Sequence, residues 1–226
     1  MVRVGADTRP DDPVARYTVS PEAPSEALIE RGATALRHGS LVAFPTDTLY
    51  ALGADASNPR AIEQIFVAKG RSFNNPIPLL VADVAMATRL AGTFPEAAAR
   101  LAERYWPGPL TLVVPAPPTI CPLLTAGTGR IGLRAPDAAV ALALIRHFGG
   151  AITGTSANRS GGREPLDADE VLRQLGNRVE VVLDGGPAAG GSPSTVIDVT
   201  ISPPVVLRSG PILHEEILRL LGFQAH

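Results

Sequence analysis

A chain of 226 residues with 22 acidic and 20 basic side chains, net charge −2, is one large domain or two small ones and can bury a core without staples. It has no global basic field to draw in nucleic acid, so any RNA contact would need a local arginine patch. A single cysteine, Cys121, excludes an internal disulfide and a Cys/His metal centre, and fits a reducing cytoplasm.

Residues 1–24 mix Asp, Pro and Arg with no apolar run. They read as an N-terminal tail, partly disordered, and as neither signal peptide nor anchor. The folded domain is expected over 25–226. No apolar stretch reaches the roughly 18 residues of a membrane span. Ala27, Leu28, Ala35 and Leu36 give a helix over 25–37 that Gly39 ends, and Leu41 to Phe44 is a buried strand stopped by Pro45. Asn58-Pro59 reads as an N-cap and first helical residue, with Gly70 as the C-terminal cap. A strand over 79–82, helices over 84–91 and 95–105, and a strand over 110–114 follow. In the second half Asp137 is expected to cap a helix over 138–147, and Ala151 to Thr153 is a strand. Asp167 with Glu170 starts a helix over 168–175 in the manner of a capping box. Strands at 179–183, 195–199 and 205–207 and a helix at 213–221 close the chain. Strands joined sometimes by helices and sometimes by turns point to an α/β (α+β) fold with a mixed sheet.

Much chemistry is excluded. The histidines, His38, His147, His214 and His226, are scattered, and no Gly-x-Ser-x-Gly elbow, Walker pattern or strand-linked Gly-x-Gly-x-x-Gly occurs. Polar clusters at element ends remain. Thr46, Asp47 and Thr48 follow a buried strand, and either face a cleft or make a local turn. Lys69-Gly70-Arg71 ends a helix, where two cations either answer the dipole or hold a polyphosphate. Arg130, Gly132 and Arg134 share one face if extended; Arg134, between Leu133 and Ala135, needs an anion from the protein or from a substrate. The loop 153–162, rich in Gly, Ser and Thr, suits phosphate or a purine edge, or is a flexible connection. Ser194 and Arg208 sit at strand edges. Among 20 lysines and arginines, Lys69 is the one lysine.

In order, Pro-Thr-Asp-Thr at 45–48, Lys-Gly-Arg at 69–71, Asn-Pro at 75–76, Trp-Pro-Gly-Pro-Leu-Thr at 106–111, Arg-Ala-Pro at 134–136, Thr-Ser-Ala-Asn at 155–158, Ser-Thr-Val-Ile-Asp at 194–198 and Arg-Ser-Gly at 208–210 resemble the YrdC-like threonylcarbamoyl-adenylate synthase family over about residues 25–220. The resemblance implies a twisted mixed sheet with flanking helices around a large concave cavity. It implies an L-threonylcarbamoyladenylate synthase, a cytoplasmic nucleotidyltransferase acting on ATP, L-threonine and bicarbonate with Mg2+. Its product would pass to tRNA threonylcarbamoyl-transfer proteins, with a weak tRNA contact and no membrane. Thr46, Arg134 and Ser194 would bind threonine. Lys69 and Arg71 would hold the triphosphate and carry catalysis, and Ser156, Asn158 and Arg208 would line the nucleotide site. A histidine that some members carry after Asn-Pro is missing from Ile77-Pro78-Leu79-Leu80-Val81. The chain resembles the short, single-domain form. The rival readings are a same-fold enzyme making another carbamoyl-adenylate and a non-catalytic RNA-binding module.

Overall fold

The computed structural model describes residues 14–223. Its strands divide between two mixed sheets rather than forming one. The first contains β1 (Ala15–Thr18), β2 (Val42–Pro45), β3 (Tyr50–Gly53), β8 (Thr155–Ser156) and β9 (Val181–Asp184), in the order β1-β9-β2-β3-β8. The second contains β4 (Leu79–Leu80), β5 (Leu110–Pro115), β6 (Arg130–Arg134), β7 (Ile152–Thr153), β10 (Thr195–Asp198) and β11 (Val205–Arg208), in the order β11-β10-β5-β6-β4-β7. β9 pairs in parallel with both β1 and β2, whereas β2 and β3 form an antiparallel hairpin around the turn 46–49.

The helices are α1 (Glu26–Arg37), α2 (Pro59–Lys69), α3 (Val84–Leu90), α4 (Glu96–Tyr105), α5 (Pro122–Thr125), α6 (Ala139–Phe148), α7 (Ala168–Leu175) and α8 (His214–Leu221). Val42 and Phe44 of β2 pack with α1 and α6 into one apolar cluster. Ala43 on the opposite face joins a larger core with α2, α4 and the inner face of the second sheet. A strand covered on both faces is apolar throughout, which is why 41–44 reads as a continuous run.

Asn58 caps α2 as expected: its Oδ1 accepts from the N–H of Arg60 at 3.1 Å and of Ala61 at 3.4 Å, and Gly70 closes the helix at φ 59°. Three expectations change. β1 lies within the stretch read as a tail, held by its ladder to β9; residues 1–13 of that tail lie outside the described residues. Asp137 does not cap α6: Ala138 occupies the cap position and no side chain closes the first turn. Asp167 accepts from the Glu170 N–H at 2.7 Å, but the Glu170 carboxylate turns to Arg173 and Gln174, leaving half a capping box. β3 and α5, not anticipated, complete the first sheet's hairpin and the wall behind β6. No described helix is long and apolar enough to cross a membrane.

Candidate active site

Alternation along three strands of the second sheet builds one wall of a cavity. Leu110, Leu112 and Val114 of β5 and Ile131 and Leu133 of β6 point into the core. Their neighbours Thr111, Val113, Arg130, Gly132 and Arg134 therefore face the other way and line a cavity of about 520 Å³. Ser194, Val196 and Asp198 continue that face from the next strand. The opposing wall comes from the first sheet and its loops: Thr46, Thr48, Ser156, Asn158, Gly162 and Glu164, with Arg71 and Arg208 at the sides.

Arg134 is 6% exposed. Its Nε donates to the Gly108 carbonyl at 3.1 Å, its Nη1 to Thr48 Oγ1 at 2.9 Å, and its Nη2 to Asp47 Oδ1. The anion that burial demands is therefore partly supplied by the protein. A guanidinium has five N–H groups, and these contacts use three. Asp47 Oδ2 is buried without a hydrogen-bond partner among the described residues. Thr46 lines the cavity, but its hydroxyl is occupied in the turn: it donates to the Leu49 carbonyl at 2.7 Å and accepts from the N–H groups of Thr48 and Leu49, each at 3.2 Å. The local-turn reading of Thr46 thus describes its hydroxyl, and it is Thr48 that touches Arg134.

Lys69 departs furthest from expectation. It is 2% exposed and is not among the residues lining the cavity. Its ammonium donates to the carbonyl of Ser156, to the carbonyl of Asn158 at 2.7 Å and to Asn158 Oδ1 at 3.1 Å. Three donors meet three acceptors, so Lys69 fastens the loop 156–158. Burial, and secondly the neighbouring Arg71 cation, push its pKa down to about 7.

Ser156 donates to Asn158 Oδ1 at 2.7 Å, and Asn158 Nδ2 donates to the carbonyls of Gly162 and Arg163, each at 3.1 Å. Ser194 Oγ lies 2.8 Å from Thr111 Oγ1 and accepts from Arg208 Nη2 at 3.0 Å. Arg208 Nε also donates to the Ser194 carbonyl at 3.0 Å, and Arg71 Nη2 to the Pro76 carbonyl at 3.0 Å. Arg130, by contrast, pairs with Asp198 at 2.6 Å.

Among the described residues, Arg71 and Arg208 therefore have no carboxylate within ion-pair distance. Burial lowers the pKa of both; for Arg208 the cations Arg134 and Arg71 add to this and Glu164 opposes it. A bound anion relieves such a strained cluster of cations. Thr48 is part of the polar cluster read from sequence, but with no partner named. Thr111 is only the last residue of a motif there, although alternation along β5 could have placed it on the cavity face, and Glu164 was not singled out.

Two sheets enclose a pocket flanked by Arg71 and Arg208, both without a carboxylate partner among the described residues, an arrangement in which an α/β protein can accept an anion. The chain belongs to the Sua5/YciO/YrdC family: the family model, described as "Telomere recombination", matches residues 34–210. It is 43% identical over 199 residues to a threonylcarbamoyl-AMP synthase of Bacillus subtilis, covering 88% of this chain and 58% of that one. It is 38% identical over 166 residues to the threonylcarbamoyl-AMP synthase of Thiobacillus denitrificans, covering 73% and 87%. The structure of P. abyssi Sua5 complexed with L-threonine superposes with a TM-score of 0.90 at 40% identity, covering 94% of this chain and 63% of that one. The chain thus spans little more than half the length of the Bacillus relative.

Proposed function

We propose that this chain is an L-threonylcarbamoyladenylate synthase, forming threonylcarbamoyl-AMP and pyrophosphate from L-threonine, bicarbonate and ATP for the threonylcarbamoylation of tRNA adenosine. The observation that carries the reading is the pair of carboxylate-free arginines, Arg71 and Arg208, in one cavity with the part-satisfied fork of Arg134. The B. subtilis and T. denitrificans relatives carry this activity in their names, and the Pyrococcus structure holds threonine.

In this reading threonine's amine, having taken up carbon dioxide, presents a carbamate oxygen. That oxygen attacks the α-phosphorus of ATP, the bond to the β-phosphate oxygen breaks, and pyrophosphate leaves. Arg71 and Arg208 neutralise the phosphates, and Arg134 offers its two remaining N–H groups to the amino-acid carboxylate. Ser194 and Thr111 stand beside Arg208 where the two substrates adjoin. Lys69 serves the nucleotide through the loop it fastens, and Ser156 and Asn158 are that loop's contribution. Magnesium arrives with ATP as part of the substrate. The product, a mixed anhydride, passes to the proteins that transfer it to tRNA in the cytoplasm, where Cys121 stays reduced.

The test is incubation of purified protein with ATP, threonine, bicarbonate and magnesium. Threonine-dependent pyrophosphate release and an adenylate of the expected mass support the proposal. Release that ignores threonine but responds to carbamoyl phosphate favours another carbamoyl-adenylate. No release, with salt-sensitive RNA binding, favours the binding module.

A further inference from the structure

The loop that brings Ser156, Asn158, Gly162 and Glu164 to the cavity is fastened from two sides. Lys69 holds one side, through the bonds described above and through its own carbonyl, which accepts from the Ser160 N–H at 2.8 Å. The other fastening is Gln174, in the last turn of α7, which belongs to none of the sequence motifs and does not line the cavity.

The Gln174 amide uses both of its ends. Nε2 donates to the Arg163 carbonyl at 2.7 Å and to Glu170 Oε1 at 2.6 Å, while Oε1 accepts from the Arg159 N–H at 3.0 Å. Glu170, 7% exposed and itself gripped by Arg173, can only accept, so it turns the Nε2 end towards itself and the Oε1 end towards Arg159. Gly162 leaves the room: a Cβ there would collide with Gln174 Oε1. A glutamate at 174 would supply no donor and face the Glu170 carboxylate; a methionine would supply neither donor nor acceptor.

We propose that Gln174 is a positioning residue for the nucleotide, acting through the loop 156–164 and not by contact. The inference rests on the reading of that loop as part of an ATP site. The test compares wild type with Gln174→Met by hydrogen exchange of the segment 156–164, by melting temperature, and by calorimetric titration with MgATP and separately with threonine. Losing the bonds to Arg159 and Arg163, each a modest net contribution, predicts about tenfold faster exchange across the segment. MgATP should bind at least about threefold more weakly and threonine within about twofold of wild type. Gly162→Ala perturbs the same contact from the loop side, leaving α7 intact, and its effect on exchange should not add to that of Gln174→Met. Exchange no faster than wild type in a folded variant overturns the proposal, as does equal weakening of both ligands. Should wild type bind no MgATP, the nucleotide reading falls and the exchange data alone judge the positioning.

Discussion

Arg134 has a protein partner as well as a proposed substrate, and the two respond differently to substitution. Arg134→Ala strands the Asp47 carboxylate, only 13% exposed, and should cost about 3–5 kcal/mol of stability. Arg134→Lys leaves a cation for Asp47 but removes the fork that can also reach a carboxylate. It is expected to fold, melting within a few degrees of wild type, and to raise the threonine requirement of pyrophosphate release about tenfold with the ATP requirement unchanged; equal rises in both would make Arg134 a structural ion-pair partner alone. Lys69 offers a second experiment. Its folded pKa of about 7 lies below the 10.5 of an unfolded lysine, so between these values the unfolded chain holds more protons and stability rises with pH. The contribution is absent at high pH and becomes a full penalty below about 7. Denaturation at pH 7 to 10 should therefore show a slope for wild type, at most about 1.4 kcal/mol per pH unit, that Lys69→Met lacks. With no other lysine in the chain, the difference isolates one group; parallel curves would refute it. The face of Arg134 was legible from alternation with Ile131 and Leu133. The partners of Lys69 were not, because they lie 87 or more positions away and local patterns carry no information about which loop returns to a helix end.

At the scale of elements, the turn 46–49 is shaped from outside as well as by Thr46. The glycine-rich loop between β9 and β10 crosses it, with the Gly191 N–H donating to the Thr48 carbonyl at 3.0 Å. A Cβ on Gly190 would collide with the Asp47 carbonyl oxygen and lie 2.8 Å from Thr48 Cα. Gly190→Ala must push that turn away, and two of the three residues that accept from Arg134, Asp47 and Thr48, move with it. We expect it to lower stability by about 1–3 kcal/mol, as overpacking does, and to impair threonine use more than ATP use in a two-substrate kinetic comparison; the reverse ranking would separate the turn from the threonine site. Helix caps were readable where a side chain is the cap, as at Asn58. They failed at Asp137, where an apolar neighbour takes the position and the carboxylate has no role in the first turn. β3 was hidden because Tyr50 to Gly53 follows a polar turn directly and the apolar stretch is too short to declare its own period.

For the molecule as a whole, the cavity takes one wall from each sheet, so a ligand filling it ties the two together. MgATP with threonine, each at about 100 times its dissociation constant, should each stabilise the fold by about 2.7 kcal/mol. For a chain of this size that is roughly 5–10 °C in melting temperature per ligand. A scanning-calorimetry shift from ATP that threonine neither adds to nor needs would argue against adjoining sites. The mixed α/β class was legible from the succession of elements, but the split into two sheets was not. Pairing partners such as Ala15 and Val181 are distant in sequence, and nothing in either short strand names the other. That pairing also has a bearing on how the protein is made. β9 lies inside the first sheet, between β1 and β2, and β10 joins β5 to β11 in the second. At about 5–20 residues per second, a ribosome needs roughly 10–40 s to reach Asp184, and until then β1 has no neighbour and the β2 edge stands open. One wall of the cavity waits for β9 and the other for β10 and β11, so both are finished only when these later strands arrive.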